Sequence, residues 1–253
     1  SDLESKLKDD SVTKEALEAG LKEHSPAFIY IIPSYHNPGG HCMSGERRVR
    51  LSELSQQHGF LIVADEVYQL LHYFDAPPPA FGTMIESDNV VSLGSFSKIL
   101  APGMRLGWIQ TGPELRERLT QVGFVNSGGS INPYASHIVR HAIDLGLQRA
   151  HVDELRRTYR SRVETMHDAL RSDFGDMATW RRTDGGYFFW MRFPADVDTA
   201  PLRQRATELE TGFQPGVFFS SDGSLANFLR LSFAHYQEDD IREGIGRLRA
   251  LFT

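Results

Sequence analysis

The sequence predicts an α/β fold: a mostly parallel sheet flanked by helices, followed by a smaller α+β region at the C-terminal end. Two observations carry this expectation. Short apolar runs alternate with segments of helical spacing as far as about residue 112, the order that parallel strands joined by crossover helices produce. After the break at Ser172 to Gly175 the pattern changes to aromatic-rich strands between amphipathic helices. Residues 1–150 are therefore assigned to a large domain, and residues 151–253 to a linking helix with a small domain.

Each element has its own local reason. Ser1 to His24 is a charged lead-in with a helix expected from about Thr13. Ala27 to Ile32 is a short apolar run stopped by Pro33, and Ser44 to His58 combines helical spacing with many charges. Phe60 to Ala64, Asn89 to Leu93 and Leu106 to Thr111 have the composition of buried strands. Pro113 suits the first turn of a helix running to Phe124, and Asn132 to Leu147 reads as another. His151 to Leu170 places Leu155, Tyr159, Val163, Met166 and Leu170 at spacings of three and four, the signature of one apolar helical face. Tyr187 to Phe193 and Phe228 to Phe233 are strands; Thr199 to about Glu210 and Glu238 to Leu251 are helices. Pro77, Pro78 and Pro79 make a rigid surface loop.

Composition narrows the function classes. With 253 residues, 40% of them hydrophobic, the chain can bury a sizeable core. Lys and Arg number 27 against 33 Asp and Glu, and the resulting net charge of -6 argues against a sequence-independent nucleic-acid surface. Cys42 is the only cysteine, so neither a disulfide framework nor a CxxC metal site is available. The lack of a long apolar run or a signal-like start leads to the expectation of a soluble, cytoplasmic protein with no membrane partner. His137 and His141 have an i, i+4 spacing but no acidic residue between them, and read as a helix-surface pair rather than a zinc site.

The stretch Ser95-Phe96-Ser97-Lys98, followed by Arg105, reads as strand, turn, strand and carries the most specific chemistry. A lysine amine condenses with an aldehyde once deprotonated, and an arginine fork clamps phosphate. Lys98 and Arg105 together suggest a phosphorylated aldehyde, pyridoxal 5'-phosphate (PLP). Asp65 ends an apolar run at the carboxyl end of an expected parallel strand, where open α/β sheets bind ligands. It can hold a protonated pyridine nitrogen, or cap the segment that follows. Tyr68 shares a face with Asp65 if that segment is helical, which puts its phenol in reach of a ring hydroxyl. Asn37, in His36-Asn37-Pro38-Gly39-Gly40, can donate to the same oxygen or simply make a turn. Arg230, inside the late apolar strand, points to solvent by strand alternation or holds an anion such as a substrate carboxylate.

Asn37-Pro38-Gly39-Gly40, Asp65-Glu66-Val67-Tyr68, Ser95-Phe96-Ser97-Lys98, Arg105-Leu106-Gly107 and Arg230 stand in the order and approximate spacing of the class I/II aminotransferases. The chain resembles that fold-type I PLP-dependent family, and within it the 2-aminoadipate, kynurenine and multi-substrate branch, from about Pro26 to the C-terminus. The resemblance implies a partial large PLP-binding domain and a small domain, and an aminotransferase acting on an α-amino acid and a 2-oxo acid as a homodimer. It also implies Lys98 as the internal-aldimine lysine and proton shuttle, Asp65 as pyridinium partner, and Asn37 and Tyr68 as ring-oxygen partners. Ser95 and Arg105 are then phosphate ligands and Arg230 the carboxylate ligand. Two departures stand out: Gly39 occupies the place of the family's usual threonine, and such enzymes run to roughly 400 residues, so the N-terminal third is expected to be lacking. The same constellation also serves PLP-dependent lyases and decarboxylases, or a non-catalytic effector such as the aminotransferase-like half of a MocR-type regulator or an inactive remnant.

Overall fold

A computed structural model describes residues 14–126 and 131–252, so Thr13, the expected helix start, lies outside the described residues. The chain divides into two compact units. The first comprises Ser1–Ser34, His41–His72 and Ala76–Leu155, and the second Tyr35–Gly40, Tyr73–Asp75 and Arg156–Thr253.

The first unit contains α1 (Lys14–Glu23), β1 (Phe28–Ile31), α2 (Gly45–His58), β2 (Leu61–Asp65), β3 (Val90–Ser95), β4 (Gly107–Thr111), α3 (Pro113–Thr120), α4 (Gly123–Asn126) and α5 (Pro133–Asp144). Helix α6 (Leu147–Phe174) begins in this unit and ends in the other. The sheet order is β1-β2-β3-β4, with β1, β2 and β3 parallel and β4 antiparallel to β3. The reversal at β4 follows from its connection, because a parallel neighbour needs a crossover of about a dozen residues or more, usually helical. The chain between Ser95 and Gly107 folds instead into turns and one short 3-10 helix, Pro102–Met104.

Strand alternation sorts the two faces of this sheet. Ile29, Ile31, Ile62, Ala64 and Val90 join Leu17 and Leu21 of α1 and Leu51 and Leu54 of α2 in one core, closed by Phe60 and Phe81. Tyr30, Val63 and Asp65 lie on the opposite face. Helix α2 starts where the Ser44 side chain accepts the Arg47 N–H and stops at Gly59, whose left-handed backbone (φ 75°) lets its N–H reach the Ser55 carbonyl.

A charged pair lies inside this unit. Arg48 of α2 is fully buried, and its guanidinium stands 3.8 Å from the buried Glu66 carboxylate just after β2. Arg48 also donates to the carbonyls of Met43 (3.1 Å), Pro79 (2.9 Å) and Pro33 (2.9 Å) and to the Ser34 hydroxyl (2.8 Å). Glu66 accepts the N–H groups of Phe81 (2.8 Å) and Gly82 (3.0 Å) and the Ser92 hydroxyl (2.6 Å). Burying two charges is costly, and this pair meets the cost by filling its hydrogen-bonding capacity.

The second unit has β5 (Thr179–Trp180), β6 (Phe188–Arg192), α7 (Leu202–Glu208), β7 (Gln214–Pro215), β8 (Phe228–Ser232) and α8 (Glu238–Arg249). Its sheet is antiparallel throughout, in the order β5-β6-β8-β7. Phe189, Met191, Leu229, Leu231 and Phe233 are buried on one side, as are Tyr159, Val163, Met166, Leu170 and Phe174 along α6. The apolar stripe expected on the long helix is thus a buried face, with Tyr159 edge-on to Phe233 and Phe174 edge-on to Phe193.

Some boundaries differ from the expectation. The helix expected from Pro113 to Phe124 ends at Thr120, and α4 is separate. The helix expected to reach Leu147 stops at Asp144, because Gly146 adopts φ 72° and turns the chain, and α6 starts at once, before the expected His151. Strands β5 and β7 span two residues each, too short for any periodicity to reveal. Among the described residues no helix is long and apolar enough to cross a membrane, and no cluster of three or more His, Cys, Asp or Glu could hold a metal.

Two outcomes are expected. Arg48→Met, which leaves Glu66 buried opposite an apolar group, lowers unfolding free energy by about 3–5 kcal/mol in urea titrations. Within α6, His167 Nδ1 accepts the Trp180 indole N–H at 3.1 Å. Burial holds the His167 pKa below the ordinary histidine value, outweighing Asp168, while Arg171 and Arg182 add to the lowering. The unfolded chain therefore binds the extra proton first: this contribution to stability is fully present above the unfolded pKa of about 6.5 and is lost as pH falls toward the folded value. Trp180 fluorescence should follow the same transition, and His167→Phe should flatten the stability change across that window.

Candidate active site

The carboxyl ends of β2 and β3 gather most of the residues singled out in the sequence. Asp65 is the last residue of β2 and pairs with Leu93 of β3, two residues before Ser95 ends that strand. Tyr30 of β1 pairs with Val63, so Tyr30 and Asp65 share a sheet face, one pleat apart. The Tyr30 phenol donates to Asp65 Oδ2 at 2.6 Å, while the Val67 N–H approaches Oδ1 at 3.4 Å.

The segment after Asp65 is a turn and not a helix, which corrects the expected route by which Tyr68 meets Asp65. The Gln69 N–H bonds the Glu66 carbonyl at 3.0 Å and the Leu71 N–H the Tyr68 carbonyl at 2.8 Å, so the chain folds back at once. At the start of this bend the Glu66 carboxylate is held by the Phe81 and Gly82 N–H groups and the Ser92 hydroxyl, with Arg48 3.8 Å away. Tyr68 is nonetheless buried and close enough to Tyr30 to act electrostatically on its phenol. Partial burial first, then the Asp65 hydrogen bond and the Asp65 and Tyr68 charges, hold the Tyr30 pKa well above the ordinary tyrosine value. The phenol therefore remains a donor.

Lys98 lies on the turn leaving β3. The N–H groups of Leu100 (2.9 Å) and Ala101 (3.0 Å) both bond the Phe96 carbonyl, and the Ser95 hydroxyl accepts the Ser97 N–H at 3.1 Å. Ile99 is buried and anchors the turn, leaving Lys98 half-buried beside it. The sequence contains Lys6, Lys8, Lys14, Lys22 and Lys98, so Lys98 is the sole lysine after residue 22. Every other Lys or Arg position after residue 22 is an arginine.

Arg105 closes the same hairpin. Ser95 pairs with Gly107 and the Phe96 N–H bonds the Leu106 carbonyl at 3.1 Å, which brings Arg105 back beside the start of the Lys98 turn. Arg105 is exposed, donates to the Pro102 carbonyl at 3.3 Å, and has a left-handed backbone (φ 48°), uncommon for a residue with a Cβ. Gly94 is required at the hairpin base: a Cβ there would fall 2.0 Å from the Trp108 ring lying across it. That indole also contacts Phe96, with ring centroids 4.8 Å apart.

Asn37 and Arg230 meet within the second unit. Arg230 NH1 donates to Asn37 Oδ1 at 2.7 Å, and its guanidinium lies 4.1 Å from the Phe188 ring centroid and 4.9 Å from that of Phe219. Arg230 is only partly exposed, so strand alternation carries it over an aromatic surface and not into bulk solvent. Asn37 begins a turn in which the Gly40 N–H bonds the His36 carbonyl at 2.7 Å. Arginine can only donate, so Asn37 presents its oxygen to Arg230 and keeps its amide N–H₂ as a donor.

Comparison with known proteins gives the family and the fold. The family model for aminotransferase class I and II matches residues 3–248. The chain belongs to the class I and II aminotransferase family. It is 32% identical to an aromatic-amino-acid aminotransferase of Thermococcus litoralis over 96% of this chain and 59% of that protein. Its fold superposes, with a TM-score of 0.85 and 31% identity, on LysN, an α-aminoadipate aminotransferase of Thermus thermophilus solved with N-(5'-phosphopyridoxyl)-L-leucine, covering 94% of this chain and 61% of that one. A kynurenine aminotransferase of Pyrococcus horikoshii gives a TM-score of 0.87 at 31% identity, over 96% of this chain and 61% of that one. The chain thus spans about 60% of the length of the relatives it matches.

Within this aminotransferase fold, Asp65, Tyr68, Ser95, Lys98 and Arg105 are carried by consecutive strand ends and turns of the first unit, while Asn37 and Arg230 touch each other in the second. Tyr30 was absent from the residues the sequence singled out. Its signal exists only once β1 is known to run parallel to β2 in the observed register, because Tyr30 and Asp65 are 35 residues apart in sequence.

Proposed function

We propose that this chain carries the PLP-dependent chemistry of an aminotransferase, moving an amino group between an α-amino acid and a 2-oxo acid. The observation that supports it best is the β2–β3 register, which brings the Asp65 carboxylate and the turn bearing Lys98, the sole lysine after residue 22, to the same strand ends. The donor set suits PLP: an amine for the aldehyde, a carboxylate for the ring nitrogen, and the Ser95 hydroxyl with the Arg105 fork for phosphate. When bound, PLP supplies an electron sink for charge developing at the substrate Cα.

The protein side chains divide the remaining work. Lys98, half-buried on a turn anchored by Ile99, accepts and returns the proton at the substrate Cα. Asp65 would hold the proton on the ring nitrogen and the Tyr68 phenol would donate to the ring oxygen, a role the family likeness also gives the Asn37 amide. Arg230, beside the Phe188 and Phe219 rings and hydrogen-bonded to Asn37, would take the substrate α-carboxylate. A homodimer in the cytoplasm belongs to the same proposal, on the family relationship and the lone Cys42.

The test uses PLP-loaded protein with a panel of amino acids and follows pyridoxamine phosphate and 2-oxo acid together. Stoichiometric appearance of both is expected; loss of the substrate carboxylate, or release of ammonia with PLP unchanged, would show decarboxylase or lyase chemistry instead. Lys98→Ala should lower turnover by about 10²–10⁴-fold, the scale of a lost general acid–base group. Arg230→Lys should raise KM about tenfold or more with a smaller change in kcat, since an ammonium cannot make the paired contact to a carboxylate. Unchanged KM in that variant would remove Arg230 from substrate binding.

A further inference from the structure

We propose that Tyr30 is the positioning residue for Asp65, its phenol fixing the carboxylate that faces the pyridine nitrogen of PLP; this rests on the PLP reading above. The geometry is directional. Tyr30 and Asp65 project from one sheet face, with Tyr30 opposite Val63, so the phenol extends along β2 to reach the carboxylate at its end. The 2.6 Å separation from Oδ2 lies in the range of charge-assisted O–H···O⁻ bonds. The other oxygen has a weaker hold, since the Val67 N–H stands 3.4 Å from Oδ1.

An aspartate carboxylate rotates in a broad well about its terminal torsion, so a side chain at a strand end needs an outside contact to keep one orientation. Tyr30 can supply it because its own backbone is fixed: Ile29 and Ile31 on either side pack into the core formed by α1, α2 and the sheet. A phenol gives one proton to one oxygen, so Oδ1 keeps acceptor capacity for a second donor such as a ring N–H. The raised Tyr30 pKa keeps that proton in place at ordinary pH. Tyr30 does this without touching the reacting carbon.

The experiment compares wild type, Tyr30→Phe, Asp65→Asn and the double variant, each loaded with PLP labelled with ¹⁵N in the ring. The ring ¹⁵N resonance and the PLP dissociation constant are measured, with the thermal midpoint of the PLP-free proteins as a control for folding. Tyr30 is about half exposed, so the phenylalanine ring fits the same space and the midpoint should hold. In Tyr30→Phe the resonance should move from its wild-type position toward that of Asp65→Asn, and PLP should bind about tenfold more weakly, the scale of a lost hydrogen bond to a charged group. In the Asp65→Asn background the same substitution should move neither quantity. A wild-type resonance and affinity in Tyr30→Phe, or equal losses in both backgrounds, would overturn the role of Tyr30 and leave the PLP reading standing. A wild-type protein that takes up no PLP would overturn the PLP reading itself, and this inference with it.

Discussion

The buried Arg48–Glu66 pair is the interaction on which the first unit depends. Arg48 holds the carbonyls of Met43, Pro33 and Pro79 from the interior, and Glu66 collects the N–H groups of Phe81 and Gly82 and the Ser92 hydroxyl. Pro33 and Ser34 follow β1, and Glu66 follows β2. One pair of charges therefore determines how the chain leaves two neighbouring parallel strands. Such a pair is poor as a source of net stability, since desolvation offsets most of its attraction, but it strongly penalises any arrangement that separates the partners. Its value is in specifying the loops, and it lies directly after Asp65, which the β2–β3 ladder places opposite Leu93.

The candidate site uses different devices on adjoining strands. At the end of β2 a buried polar network bends the chain and presents Asp65; at the end of β3 a hairpin too short for a crossover carries Lys98 and returns Arg105 beside Ser95. The reversal of β4, which at first looks like a lapse from parallel pairing, is what closes that hairpin. Gly94 permits it by leaving room for the Trp108 indole across the strand. On the open face of the sheet Tyr30 adds a contact from β1, so three consecutive strands each contribute to one row of polar groups.

Much of this was legible in the sequence, and what was not has particular causes. Strands β1 to β4 and the long helix showed because hydrophobic runs and a three-four stripe are local patterns. Asp65, Lys98 and Arg105 were legible because each stands at a strand end or turn that the same patterns locate. Tyr68 was placed beside Asp65 on the condition that the segment is helical, since a residue three later fits a helical face; the segment is instead a turn, and Glu66 at its start is held by groups distant in sequence. Arg48 sits among charges on α2 and has no sequence mark that it turns inward. Tyr30 depends on parallel register, which no single strand encodes. The ambiguity at Arg230 was also tertiary: alternation correctly removes it from the core side of β8, but Phe188 and Phe219 occupy the other side.

The proposed role of Lys98 as the reactive amine has a direct test, because lysine is scarce in this chain. The protein is incubated with PLP at about equal concentration, reduced with borohydride, digested and mapped by mass spectrometry. With Lys6, Lys8, Lys14 and Lys22 as internal competitors, one phosphopyridoxyl label per chain is expected, on Lys98. Label distributed over the N-terminal lysines, with Lys98 unmodified, would contradict it.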